Sequence, residues 1–162
     1  MIELGTSFLA EALDRAATAD EVAAIVEQYL AEWSAGVRPI EGIADLLTSL
    51  SRSHRLAVVT NTHSPSLVPG HLEAMGVAHC FDAVISSVEV GWRKPHPAIY
   101  LEALARLGER RADAVFVGDT LGPDYDGPRA MGIHALLIDP ERQHDIPEEH
   151  RLSSVHDLAE RL

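Results

Sequence analysis

Cysteine and lysine are nearly absent from this chain, aromatic residues make up only 5% of it, and no long apolar run occurs. A single cysteine, Cys80, leaves no partner for an internal disulfide, so packing at a strand start is its expected role and a reducing compartment suits it. No stretch of about 18 apolar residues is found, and the opening MIELGTSF lacks the basic, apolar and small-residue order of a secretory leader. A soluble, cytoplasmic protein is therefore expected. The formal net charge of -12 disfavours nucleic acid and anionic membrane as partners, since both are met by a basic face. Of 13 basic residues only Lys94 is a lysine, and a compact ammonium differs in kind from the fork of a guanidinium. No internal repeat or low-complexity segment breaks the sequence.

What is present fits one compact domain with a small appendage, because 162 residues at 46% hydrophobic can bury a sizeable core. Phe8, Leu9, Ala12, Leu13 and Ala16 recur at helical spacing over Thr6–Ala17. Thr18 and Glu21 form a capping-box pattern ahead of a second helix, whose stripe Val22, Ile25, Val26, Tyr29, Leu30 and Trp33 runs until Gly36. Tyr29 and Trp33 are expected in the core of this helical pair. Pro39 is expected to open a third helix with Ile43, Leu46, Leu47 and Leu50 inward. From there strands and helices alternate. Strands are expected at 55–60, 81–87, 114–117 and 133–138, and helices at 64–75, 97–107 and after Asp124, with a last one over 154–162 carrying Val155, Leu158 and Leu162 inward. Such alternation implies an α/β fold with a parallel sheet between two helical layers and right-handed crossovers. The expected division is a helical appendage over 1–36 and a sheet domain over 37–162.

Three strand ends carry groups that suit phosphate chemistry. Thr60 and Asn61 follow the first strand, Lys94 lies in the loop VGWRKPHP after the second, and Asp119 and Asp124 follow the third. In a parallel sheet such ends converge on one face. A hydroxyl, an amide and an ammonium hold phosphate oxygens, while one or two carboxylates suffice for magnesium, whose other positions go to water and phosphate. Taken alone, Asp119 reads equally well as a turn residue and Asp124 as a helix cap. His63 stands next to the first of these ends, where a loop histidine can touch substrate.

In VVTNT, the lysine of GWRKPHPAIY and VFVGDTLGPDYDGPRAMG, the chain resembles the second, third and fourth motifs of the haloacid dehalogenase superfamily over Arg38–Leu162. The resemblance implies a Rossmannoid core in three layers and a magnesium-dependent phosphatase of a small phosphorylated metabolite. It implies that Thr60 binds the transferring phosphoryl group, Asn61 positions it, Lys94 steadies phosphate and nucleophile, and Asp119 and Asp124 serve the metal. The leading helices resemble the tail of the helical cap that many members insert after their first motif.

That first motif, a buried strand ending in Asp-x-Asp-x-Thr, has no counterpart. Asp124 and Asp126 follow a loop and belong to the fourth motif, and reading Glu3-Leu4-Gly5-Thr6 as its end would put Ile2 and Leu4 at both acidic positions. Without the nucleophilic carboxylate no aspartyl-phosphate forms and magnesium loses a main ligand, so activity of the chain alone is expected to be weak or absent, and haloacid dehalogenation fails for the same reason. The family's missing strand is the sheet's centre. The strands of Thr60 and Asp119 are then left about 10 Å apart with facing unpaired edges. Four repairs stand open: Met1–Leu4 as a substitute strand, a strand donated by a second copy or a partner chain, direct pairing of the two edges, or a start upstream of Met1. A rival reading is a non-catalytic module that keeps phosphate affinity and is completed by a partner or a second copy. The nine histidines form no HExxH or Cys/His cluster, so no zinc site is expected.

Overall fold

The computed structural model describes Thr6, Glu11 and residues 15–162, and the helix expected over Thr6–Ala17 lies mostly outside them. The chain divides into two compact units, Met1–Ile40 and Glu41–Leu162. In the first, helix α1 spans Ala19–Gly36, starting where the capping box places it. The Glu21 amide donates to Thr18 Oγ1 at 3.3 Å and the Thr18 amide to Glu21 Oε2 at 2.9 Å, closing two otherwise orphaned donors. The Arg15 guanidinium, with the Thr18 amide second, holds the Glu21 carboxyl down to about 2. Tyr29 and Trp33 are not core residues: they lie 49% and 58% exposed, their rings against each other at 6.2 Å.

In the second unit the first helix, α2, spans Ile43–Leu50. Pro39 does not open it, because Gly42, at φ 74°, turns the chain in the left-handed region just before the helix starts. Strand β1 (Ala57–Thr60), helix α3 (Leu67–Ala74), strand β2 (Ala83–Ser86), the single turn α4 (Ser87–Val90) and helix α5 (Pro97–Leu107) follow. His96 caps α5, its Nδ1 accepting from the Ala98 amide at 3.2 Å, with Pro97 at the first helical position. Cys80 is buried in a short turn before β2. Strand β3 (Val115–Gly118) leads through a wide turn, Leu121–Asp126, into α6 (Gly127–Ala130) and strand β4 (His134–Ile138). The connector beyond β4 holds a short strand, β5 (Arg151–Leu152), and the chain closes with α7 (Leu158–Arg161). Val155 and Leu158 face inward there, whereas Leu162 is 48% exposed, since the helix ends one residue before it.

All strand pairs are parallel, but they fall into two separate sheets, β1–β2 and β3–β4–β5. The sheets are held together from above and below. Phe116 packs toward α5, where Ile99, Tyr100, Ala103 and Leu104 form a core with Ile85 and Ile133, and Tyr100 meets Phe116 edge-on at 5.5 Å. Its neighbour Val117 faces the opposite layer, with Leu50 of α2, Leu136, Leu152 and Leu158. Three layers result. β1 and β3 do not pair directly, and among the described residues no strand stands between them. In its place runs a cleft of about 660 Å³ lined by Ala57–Val59, Val115–Val117 and apolar side chains of both helical layers. This is why β1 is half-buried along its whole length when a central strand would be buried.

The charged connector is anchored at Asp139, which is 5% exposed. Its carboxylate accepts from the Gln143 amide at 2.9 Å and the His144 amide at 3.2 Å, and pairs with Arg151. Burial raises its pKa, and these amides with Arg151 outweigh that, leaving it below the usual carboxylate value.

Candidate functional site

Thr60 is the last residue of β1, opposite Ser86 of β2, and the chain leaves both strands at the same end. Asn61 then reaches across to the loop before α5. Its Nδ2 donates to the Lys94 carbonyl at 3.0 Å and its Oδ1 accepts from the Lys94 amide at 2.7 Å. Thr62 is buried beneath, its amide donating to Ser87 Oγ and its carbonyl accepting from the same hydroxyl, both at 3.0 Å. These bonds fix the first loop against the second.

Lys94 passes the connection to the third loop. Its Nζ lies 2.7 Å from Asp124 Oδ1, with side chains 13% and 8% exposed, and sits 5.5 Å from the Phe116 ring centroid. The other Asp124 oxygen accepts from the Thr120 amide at 3.1 Å. Asp124 is thus engaged at both oxygens, as a strut between loops. It approaches β3 so closely that a Cβ on Gly118 would fall 2.5 Å from its side chain, which is the reason glycine stands there. Tyr100 seats the same turn from below through Oη to the Pro123 carbonyl at 2.6 Å. Burial, with the Asp124 charge second, pushes its hydroxyl up to about 12.

Asp119 stands differently. It is exposed, and the Thr120 hydroxyl donates to it at 3.3 Å. The structure therefore brings Asn61, Lys94 and Asp124 into one bonded series, with Thr60 and Asp119 at the ends of the strands that flank it. His63 lies at the rim, its Nε2 3.2 Å from the Arg93 guanidinium. In the sequence only its place beside Lys94 points to Arg93. Trp92, 53% exposed, stacks on His96 at 3.8 Å. Among the described residues no group of three or more His, Cys, Asp or Glu side chains converges in a metal-binding cluster. Of the two acids on this loop, Asp119 is exposed, while both Asp124 oxygens are already engaged.

Known proteins share this pattern. Residues 3–138 match the family model for haloacid dehalogenase-like hydrolases. The human haloacid dehalogenase-like hydrolase domain-containing protein 3 is 35% identical over 153 residues, covering 89% of this chain and 60% of the human protein. Ribulose-1,5-bisphosphate 5-phosphatase of Halopiger xanaduensis is 31% identical over 121 residues, covering 73% of this chain and 51% of that enzyme. The chain thus spans between half and three-fifths of these relatives' length. Among solved structures, the 2-haloacid dehalogenase of Pseudomonas syringae superposes with a TM-score of 0.78 at 25% identity, over 98% of this chain and 70% of that one. With strands, loops and the match over most of its length in agreement, this chain belongs to the haloacid dehalogenase-like hydrolases.

Proposed function

We propose that the chain carries the phosphate-holding half of a magnesium-dependent phosphatase for a small phosphorylated metabolite such as a sugar phosphate, and that it turns over little or no substrate alone. The observation that carries this reading is the series Asn61, Lys94, Asp124, which joins three loops at one mouth. Thr60 donates its hydroxyl to a phosphoryl oxygen, and Lys94 offers its ammonium to another. Both polar atoms of the Asn61 amide are committed to the Lys94 backbone, so Asn61 is a positioning residue that holds the lysine's loop in place. His63 and Arg93 meet the substrate's remaining polar groups at the rim. Asp119 and Asp124 hold magnesium, which neutralises phosphate charge when bound. That site is weak here, because Asp124 is shared with Lys94 and among the described residues no third carboxylate joins it. Helix α1 belongs to a cap, and the compartment is the cytoplasm; no helix among the described residues is long and apolar enough to cross a membrane.

A second reading, a non-catalytic phosphate-binding module completed by a partner, draws support from the open cleft between β1 and β3. One experiment separates the two. Inorganic phosphate and sugar phosphates are titrated into the purified chain by calorimetry, with and without magnesium, and phosphate release is followed in parallel. Weak binding that Lys94→Ala abolishes, with negligible release, is expected. Robust magnesium-dependent release that is lost on Asp119→Asn would overturn the expectation of inactivity; no phosphate binding at all would refute both readings.

A further inference from the structure

Two bridges join the loop after β1 to the loop before α5. The inner one is the Asn61 side chain on the Lys94 backbone. The outer one runs from the Arg93 guanidinium to His63 Nε2 at 3.2 Å. A guanidinium only donates, so the imidazole accepts through Nε2. The backbone of Arg93 is held as well: its carbonyl accepts from the His96 amide at 2.8 Å, and the His96 ring stacks on Trp92 at 3.8 Å. These contacts place the guanidinium at the rim, one residue from the shielded ammonium of Lys94.

The two neighbouring cations are balanced differently. Lys94 is paired with Asp124. Arg15, Arg106, Arg110, Arg142 and Arg151 likewise each meet a carboxylate. Arg93 is exposed and, among the described residues, meets an imidazole through Nη1 and no carboxylate. In a chain with 25 acidic and 13 basic residues, such a guanidinium is a charge open to a ligand. Its Nε and Nη2 edge has no partner among the described residues. That edge is a planar pair of donors, the geometry that takes two oxygens of one carboxylate or phosphate side by side.

We propose that Arg93 is a specificity-determining residue: its free edge receives a second anionic group, a carboxylate or a further phosphate, on a substrate whose first phosphoryl group is held by Thr60 and Lys94. The inference rests on the phosphate-holding role proposed above and narrows the substrate class to phosphate esters that carry a second anion. The sign of the effect is diagnostic. The net charge of -12 and the exposed Asp119 repel any anion, and a second negative charge is repelled further. A gain in affinity from that charge therefore requires a cation placed to receive it.

Glycerol 3-phosphate, 3-phosphoglycerate, fructose 6-phosphate and fructose 1,6-bisphosphate are titrated into the full chain by calorimetry, without added magnesium, so that chelation plays no part. Each pair shares a carbon skeleton and differs in the second anion, a carboxylate in one pair and a phosphate in the other. In at least one pair the two-anion member is expected to bind about fivefold tighter at low salt, the upper range for an exposed ion pair. Which pair gains identifies the group received. Arg93→Gln should bring that ratio to about one or below, with circular dichroism and thermal unfolding verifying the variant's fold. A ratio of one or less in both pairs for the wild type, or a gain that survives Arg93→Gln, overturns the proposal. Binding of the one-anion probes that Lys94→Ala abolishes would leave the phosphate-holding reading standing in that case. Absence of binding by all four probes overturns that reading and this inference together.

Discussion

Replacing Lys94 by methionine tests the site at its most constrained point. The ammonium and the Asp124 carboxylate are 2.7 Å apart with side chains 13% and 8% exposed, so both charges are largely shielded from water. Removing one partner of a buried pair leaves the other uncompensated, at a cost of about 3–5 kcal/mol, whereas an exposed pair costs under about 1 kcal/mol. The Thr120 amide, at 3.1 Å from the second oxygen, offsets only part of that loss. For a chain of this size, 3 kcal/mol lowers the melting temperature by about 10 °C. Thermal unfolding of the wild type, Lys94→Met, Asp124→Asn and the double variant gives the coupling directly. Asparagine is chosen because it keeps the carboxylate's shape in the space that Gly118 leaves. The double variant is expected to be more stable than Lys94→Met, since it carries no orphaned charge. A Lys94→Met loss below about 1 kcal/mol, or effects that simply add, would refute the buried strut.

Two further outcomes follow from the same turn. Gly118→Ala places a methyl 2.5 Å from the Asp124 side chain, which has no slack to give; a loss of about 1–3 kcal/mol in denaturant unfolding and weaker phosphate binding are expected. Tyr100 is an acid whose pKa is raised by folding from 10 to about 12, so its neutral form is the one the fold favours. Its contribution is whole below pH 10 and is lost as pH rises through about 12; absorbance titration should show one tyrosine ionising near 12 that disappears in Tyr100→Phe.

The places of Lys94, Asp119 and the Thr60–Asn61 pair at strand ends and loops were legible because the strand and loop order fixes them. What each side chain touches was not. Asn61 reads as a substrate residue in sequence, yet its amide is spent on another loop, and Asp124 reads as a metal residue but is gripped by the lysine. Such cross-loop contacts have no local signal. The same holds for β5, whose two residues are too few to show a period and whose place is set by Asp139 gripping Arg151. Helix α5 was legible to the residue because Pro97 starts it and Gly108, at φ 69°, stops it. Trp33 and Leu162 failed the other way: helical spacing shows which residues share a face but not what covers it. Among the described residues no strand stands between β1 and β3, and the two sheets stay separate there.

The bonded series through Asn61, Lys94 and Asp124 is a clasp between two half-sheets that share no strand pairing among the described residues. An anion brought to the mouth would compete with Asp124 for the ammonium that closes it. Phosphate affinity and the closure of this joint would then be thermodynamically linked: whatever loosens the clasp would favour the anion, and the anion would loosen the clasp to the same degree.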